Sequence, residues 1–214
     1  MLDRPISRRR VLQLVAAALA TLPLITDGTP AAAEDIDRIT LEAWSDTIVP
    51  GEKRSATDRA IAGACAGPGA VQAGVWDLMN DPDVGLAPAL PALVTLLNTQ
   101  ATGYALTHHL RPDVTVPPFV ALPFAARTAL ALQLLNPKRV DQLLWYALAA
   151  IPMLAFHTAA QLDTAAAVRA GHPGLAWIQF PMPDADGLWR FPDFSYRLAL
   201  ADLHPATTST GNPP

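Results

Sequence analysis

The stretch Leu143-Leu144-Trp145-Tyr146-Ala147-Leu148-Ala149-Ala150-Ile151-Pro152-Met153-Leu154-Ala155-Phe156 decides the fold class. It is apolar on every side of a helical projection, the pattern of a helix enclosed by other helices. A bilayer span takes about 20 residues, and this run is shorter and closely bounded by Asp141, Gln142 and His157. Pro152 predicts a kink, because it removes one backbone hydrogen bond at a cost of about 3 kcal/mol. Asn136-Pro137 reads as an N-cap followed by the first helical position, and Gly171 and Pro173 read as the stop. One long helix from 137 to 170 is therefore expected at the physical centre of the domain.

Outward from that helix the pattern stays helical. Leu90, Leu93, Val94, Leu97, Ala101, Tyr104 and Ala105 form a stripe inside Leu86–Leu110, with Pro88 and Pro91 suited to the first turns and Arg111-Pro112 closing it. An extended connector over 112–118 precedes another helix, Leu122–Leu135. Towards the N-terminus, Asp35 can cap a helix whose apolar positions Ile36, Ile39, Ala43, Trp44 and Ile48 recur every three or four residues and which ends at Pro50-Gly51. Ser55-Ala56-Thr57-Asp58 has the form of a capping box and predicts a small-residue helix through Ala66. Gly67-Pro68-Gly69 breaks it, and a short helix from Ala70 to Asn80 follows. The expected fold is all-α, a single helical-bundle-like domain of about five to six helices over 34–172. An irregular aromatic and proline-rich arm over 173–204 and a tail over 205–214 follow it.

Residues 1–33 read as an export signal. Arg8, Arg9 and Arg10 supply the charged start, Val11 to Ile25 an apolar run, and Ala31-Ala32-Ala33 a small-residue cleavage site before Glu34. Ser7-Arg8-Arg9-Arg10-Val11-Leu12-Gln13 resembles the twin-arginine signal, with Arg8 and Arg9 as the pair. That route carries folded cargo, so the expected location is exported, periplasmic or extracellular, with the twin-arginine translocase as a partner and no membrane span left after cleavage.

Composition narrows the function classes. The chain is 51% hydrophobic and 16% charged, well below the usual quarter of charged residues. Removing 1–33 takes away four arginines and two aspartates, leaving eleven basic against seventeen acidic side chains, a net of −6. An acidic chain disfavours nucleic acid and anionic membranes as partners. Cys65 is the single cysteine, so no intramolecular disulfide forms; between Ala64 and Ala66 it reads as a small buried hydrophobe.

Motifs that carry chemistry are missing from the sequence. Gly67-Pro68-Gly69-Ala70-Val71-Gln72 lacks the last glycine of a dinucleotide fingerprint and a strand before it. No haem-attachment pair, nucleophile elbow or zinc-protease motif occurs, and no cofactor is expected on this chain. The weak metal candidates are His108, His109 and His157. Neighbours on a helix point about 100° apart, so His108 and His109 fit the negative end of a helix better than one ion. The feature with the most open meaning is the aromatic arm, where Trp177, Phe180, Trp189, Phe191, Phe194 and Tyr196 crowd into twenty residues. It either covers the domain's own helices or meets a partner. Trp177, Phe180, Trp189, Arg190 and Phe194 are the candidate partner-binding residues, being of the types that dominate interface energies.

Leu41-Glu42-Ala43-Trp44-Ser45-Asp46-Thr47-Ile48-Val49-Pro50-Gly51, with Ser55–Gly74 after it and Gly171-His172-Pro173-Gly174 as weaker support, resembles the gluconate 2-dehydrogenase subunit 3 family. The likeness is greatest to an actinobacterial branch often encoded beside flavin-dependent oxidoreductases of the glucose–methanol–choline (GMC) class. The resemblance implies an all-helical accessory subunit without catalytic residues, which binds such a flavoprotein, whose cofactor is FAD, and lends it a twin-arginine signal. A stand-alone secreted protein with a His-based metal site or a hydrophobic-ligand pocket is the alternative.

Overall fold

The computed structural model describes residues 30–185, with side chains from 35 onward. Among these residues the fold is all-α. It comprises α1 (Pro30–Ile48), α2 (Val75–Asn80), a 3₁₀ turn (Ala87–Ala89), α3 (Leu90–Thr107), α4 (Pro118–Ala121), α5 (Phe124–Leu134), α6 (Gln142–Thr158), α7 (Thr164–Arg169) and α8 (Pro173–Trp177). Four of the eight α-helices are long and four are single-turn or two-turn pieces that close corners.

The centre of the fold is α1, not the apolar helix that the sequence singles out. α1 packs against α2, α3, α4, α5 and α6, and its Trp44 is fully buried. The Trp44 ring lies 5.9 Å from Phe119 of α4 and 6.0 Å from Trp145 of α6, both tilted. Its indole N–H donates to the Leu148 carbonyl at 3.3 Å. The expected α3 stripe holds: Leu90, Leu93, Val94, Leu97, Ala101 and Ala105 are buried, and Pro91 stands in the first turn. Fully burying side chains of this size contributes about 1.5–3 kcal/mol each, so this layer dominates the stability.

Five expectations are corrected. The helix expected over 137–170 is two helices. Asn136 makes a turn by accepting from the Lys138 N–H, α6 starts at Gln142, and Ala159 (φ +46°) leaves the helical region. The side-chain amide of Gln161 then reaches the Ala73 carbonyl at 2.9 Å, and Asp163 caps α7 through the Ala166 N–H at 2.8 Å. α6 continues through a buried Pro152, yet Leu143, Tyr146 and Met153 are exposed on one face, because α1, α2 and α8 cover only the other sides. The helix expected over Ser55–Ala66 does not form; Asp46 and Arg127 from other elements, and Asp58 within the segment, take backbone groups a helix would pair. Cys65 lies in that irregular loop and is exposed, not buried. The short helix expected from Ala70 begins only at Val75, after a turn through Gly74 (φ +80°). Among the described residues no helix is long and apolar enough to cross a membrane.

Candidate partner-binding surface

The loop 51–69 is built by buried charge. On α1, Glu42 and Asp46 are four residues apart and both nearly fully buried. Asp46 accepts from the Gly51 N–H at 3.1 Å and the Ala62 N–H at 2.8 Å, pinning the start of the loop and a point past its middle. Burial pushes its carboxyl above the usual value, although those two bonds and the charge of Arg127 pull the other way. Glu42 pairs with Arg38 at 3.0 Å and Arg54 at 2.6 Å, and Arg54 also holds Asp58 at 2.7 Å. Burial presses on Asp58 too, but the Arg54 hydrogen bond and the N–H groups of Ile61 and Ala60 outweigh it, so its carboxyl sits below the ordinary value. From α5, the buried Arg127 donates to the carbonyls of Ala60, Arg59, Leu122 and Val120. Its guanidinium is pushed below its ordinary value by burial, with Asp46 opposing.

The second component is the joint Gly171-His172-Pro173-Gly174. His172 is buried, and its Nδ1 accepts from the Leu175 N–H at 3.3 Å, which caps α8. That bond requires a lone pair on Nδ1, so Nε2 carries the proton and donates to the Ala73 carbonyl at 3.0 Å. Pro173 occupies the first helical position, where its missing N–H costs nothing. Gly174 is pressed against α6: a β-carbon there would fall 2.1 Å from the Phe156 carbonyl oxygen. α8 is thus seated backbone to backbone on α6.

Together these parts display Trp177. Its ring lies over Gly67 of the loop, where φ is +101° and a β-carbon would fall 2.6 Å from the ring. The Gly67 carbonyl in turn accepts from the Glu52 N–H at 2.8 Å. One edge of the indole is therefore fixed while 58% of the residue faces solvent, with Ile178 and Met182 exposed beside it in sequence. An immobilised, half-exposed Trp loses little conformational freedom on association, which is what an interface anchor requires. Phe180 instead packs inward on Ala159, Ala167 and Leu175. Of the candidate contacts the fold thus separates Trp177, displayed, from Phe180, part of a small satellite core. Trp189, Arg190 and Phe194 lie outside the described residues, as do Arg8 and Arg9. Ala31 and Ala33 fall within the backbone of α1.

The histidines singled out as metal candidates serve helix ends. His108 caps α3 and stacks on Tyr104 at 4.1 Å. His109 follows at φ +53°. His157, exposed in the last turn of α6, lies with Nδ1 3.0 Å from the Met153 carbonyl. Among the described residues no three His, Cys, Asp or Glu side chains gather as a metal site needs. The residues that sequence reasoning passed over are Glu42, Asp46, Arg127 and His172. Two acids four apart on the buried side of an apolar helix mark Glu42 and Asp46, and a His directly before a proline at a helix start marks His172; no local signal marks Arg127.

Residues 35–214 match the family model described as a family of unknown function (DUF5987). No curated protein and no solved structure matches the chain.

Proposed function

The chain belongs to the DUF5987 family, and from that premise we propose that it is an exported, non-catalytic accessory subunit that binds a flavin-dependent oxidoreductase of the GMC class. In this reading the partner holds FAD, this chain supplies the twin-arginine signal through Arg8 and Arg9, and the pair crosses the translocase together to the periplasm or the outside. The observation that supports it is the display of Trp177, an anchor residue held by its own scaffold and turned to solvent. The resemblance of Leu41–Gly51 to accessory subunits of flavin oxidoreductases names the partner class. Co-expression with the flavoprotein encoded beside this chain tests it. Co-purification, and loss of both proteins from the exported fraction when Arg8 and Arg9 are changed to Lys, is the expected result; independent purification and export of the flavoprotein overturns it.

An apolar cleft of about 310 Å³ between α3 and the connector, lined by Ala105, Leu106, Leu110, Val114 and Val116 among others, favours the second reading. In that reading the chain is a stand-alone binder of a small hydrophobic ligand, and organic extraction of the purified protein followed by mass spectrometry tests it.

A further inference from the structure

We propose that His172 is a proton-operated latch on Trp177. Neutral, it caps α8 and holds the indole over Gly67; protonated, it turns out towards Asp77 and Asp81 and lets both go. The neutral ring is fully used where it stands. Nδ1 accepts from the Leu175 N–H at 3.3 Å, and Nε2–H donates to the Ala73 carbonyl at 3.0 Å. A proton taken from solvent onto Nδ1 turns that acceptor into a donor, so two N–H groups face each other and the cap is lost. At 7% exposure the imidazolium also gains little hydration there.

A second position for the charged ring lies beside the first. His172 borders an open cleft of about 600 Å³ together with Asp77, Asn80 and Asp81. The two aspartates are the charged groups on its lining, and among the described residues neither pairs with a Lys or Arg. Asp81 keeps one oxygen on the Asp83 N–H and has the other free of it. Turned outward, an imidazolium exchanges its lost cap for carboxylate acceptors, a charge-assisted contact that the neutral ring cannot match. Pro173 keeps the His172 backbone extended, so the side chain moves and the chain does not. The remaining charged or titratable groups on the helices against α8 are placed elsewhere. His157 of α6 is exposed beside the Met153 carbonyl, Asp163 caps α7, and Arg169 is exposed in the last turn of α7. The element this biases is α8, whose five residues are too few to persist without the cap and the seat on α6. Trp177 is its last residue, so an opened first turn carries through to the indole. Histidine is the side chain whose charge ordinarily changes between pH about 5 and 8, which makes mild acid the signal.

The consequence for partner binding, weaker association in mild acid, rests on the accessory reading; the latch itself is read without a partner. Fluorine NMR of the full chain carrying 5-fluorotryptophan gives one signal for each of the five tryptophans, and Trp177→Phe identifies that of Trp177. Between pH about 7.5 and about 5 this signal should shift, while those of the buried Trp44 and Trp145 stay. His172→Asn puts an amide oxygen in place of Nδ1, a cap that does not titrate, and should abolish the shift. Asp77→Asn with Asp81→Asn should keep the fold and move the midpoint of the shift to lower pH. A Trp177 signal that ignores pH, one that responds equally in His172→Asn, or an unchanged midpoint in the double variant overturns the proposal. So does a shift that Trp44 and Trp145 share, the mark of general acid unfolding. Failure of the flavoprotein to bind at either pH would remove the accessory reading and leave the latch standing; a silent Trp177 signal with binding intact would do the reverse.

Discussion

The guanidinium of Arg127 donates to the Ala60 carbonyl at 2.7 Å, joining α5 to a loop 67 residues earlier in the chain. It serves three further carbonyls at once, those of Arg59, Val120 and Leu122. Arg127→Met leaves these acceptors without a donor in the interior and should lower unfolding stability by about 3 kcal/mol. Arg127→Lys should recover only part of that, because one ammonium cannot serve four carbonyls in a fixed fork. Urea denaturation measures both; an unchanged midpoint in Arg127→Met removes the clamp from the account.

Gly174 and Gly103 form a matched pair of tests. At Gly174 a β-carbon collides with the Phe156 backbone, whereas at Gly103, within α3, it meets nothing within 4 Å. Gly174→Ala should cost about 1–3 kcal/mol and move α8, with a shift in Trp177 fluorescence. Gly103→Ala should raise stability by up to about 1 kcal/mol through helix propensity alone. Thermal melts of the two variants should therefore move in opposite directions.

Acid sensitivity should divide between Asp141 and Asp46. The hydrogen bond from Arg139 holds the Asp141 carboxyl down to about 2; burial opposes it, and the Trp145 indole adds to the lowering. Its folded value is below its unfolded one, so its contribution is present above pH about 4 and lost as pH falls towards about 2. Asp46 has the reverse sign. Burial raises its carboxyl in the folded state, so its stabilisation is complete below the unfolded value of about 3.9 and fades as pH rises through the folded value. Asp141→Asn should flatten the acid limb of a melting-temperature profile, and Asp46→Asn the limb above it. A wild-type profile level across the whole acid range would contradict both.

Exposure of Cys65 predicts rapid, stoichiometric labelling of the native protein by a maleimide, without change in the far-ultraviolet circular dichroism. A thiol that reacts only after denaturant is added would return Cys65 to the interior.

Trp177→Ala should weaken association with the flavoprotein about 30-fold, roughly 2 kcal/mol, as loss of an interface anchor does. Phe180→Ala should act on stability first, since Phe180 packs on Ala159, Ala167 and Leu175. Calorimetric titration together with melts separates the two effects.

Periodicity carried most of the helical layout, because the burial of Trp44 and of the α3 stripe depends on spacing within one segment. The loop 51–69 was opaque for the opposite reason. Its conformation is set by Asp46, Glu42 and Arg127, and no local pattern records a carboxylate on one helix or a guanidinium on another. Ser55–Asp58 offered a local helix start, and Asp58 spent its oxygens instead on Arg54 and on the N–H groups of Ala60 and Ile61. The break at Ala159 was hidden likewise, as an alanine in a left-handed turn is chosen by its surroundings, among them the bond from Gln161 to Ala73. The even apolarity of 143–156 concealed which face lacked cover. Trp177 was visible as an aromatic in an irregular arm, but the glycine beneath its ring was not.

The contact between Trp44 and Leu148 spans 104 residues, and this sets a timetable for synthesis. At about 5–20 residues per second, Leu148 is made roughly 5–20 seconds after Trp44. Through that interval the segment destined for the middle of the molecule has none of its long-range neighbours from α6. Contacts so distant along the chain also slow the final search. Trp44 of α1 is therefore among the early-made side chains whose enclosure waits for one of the later helices.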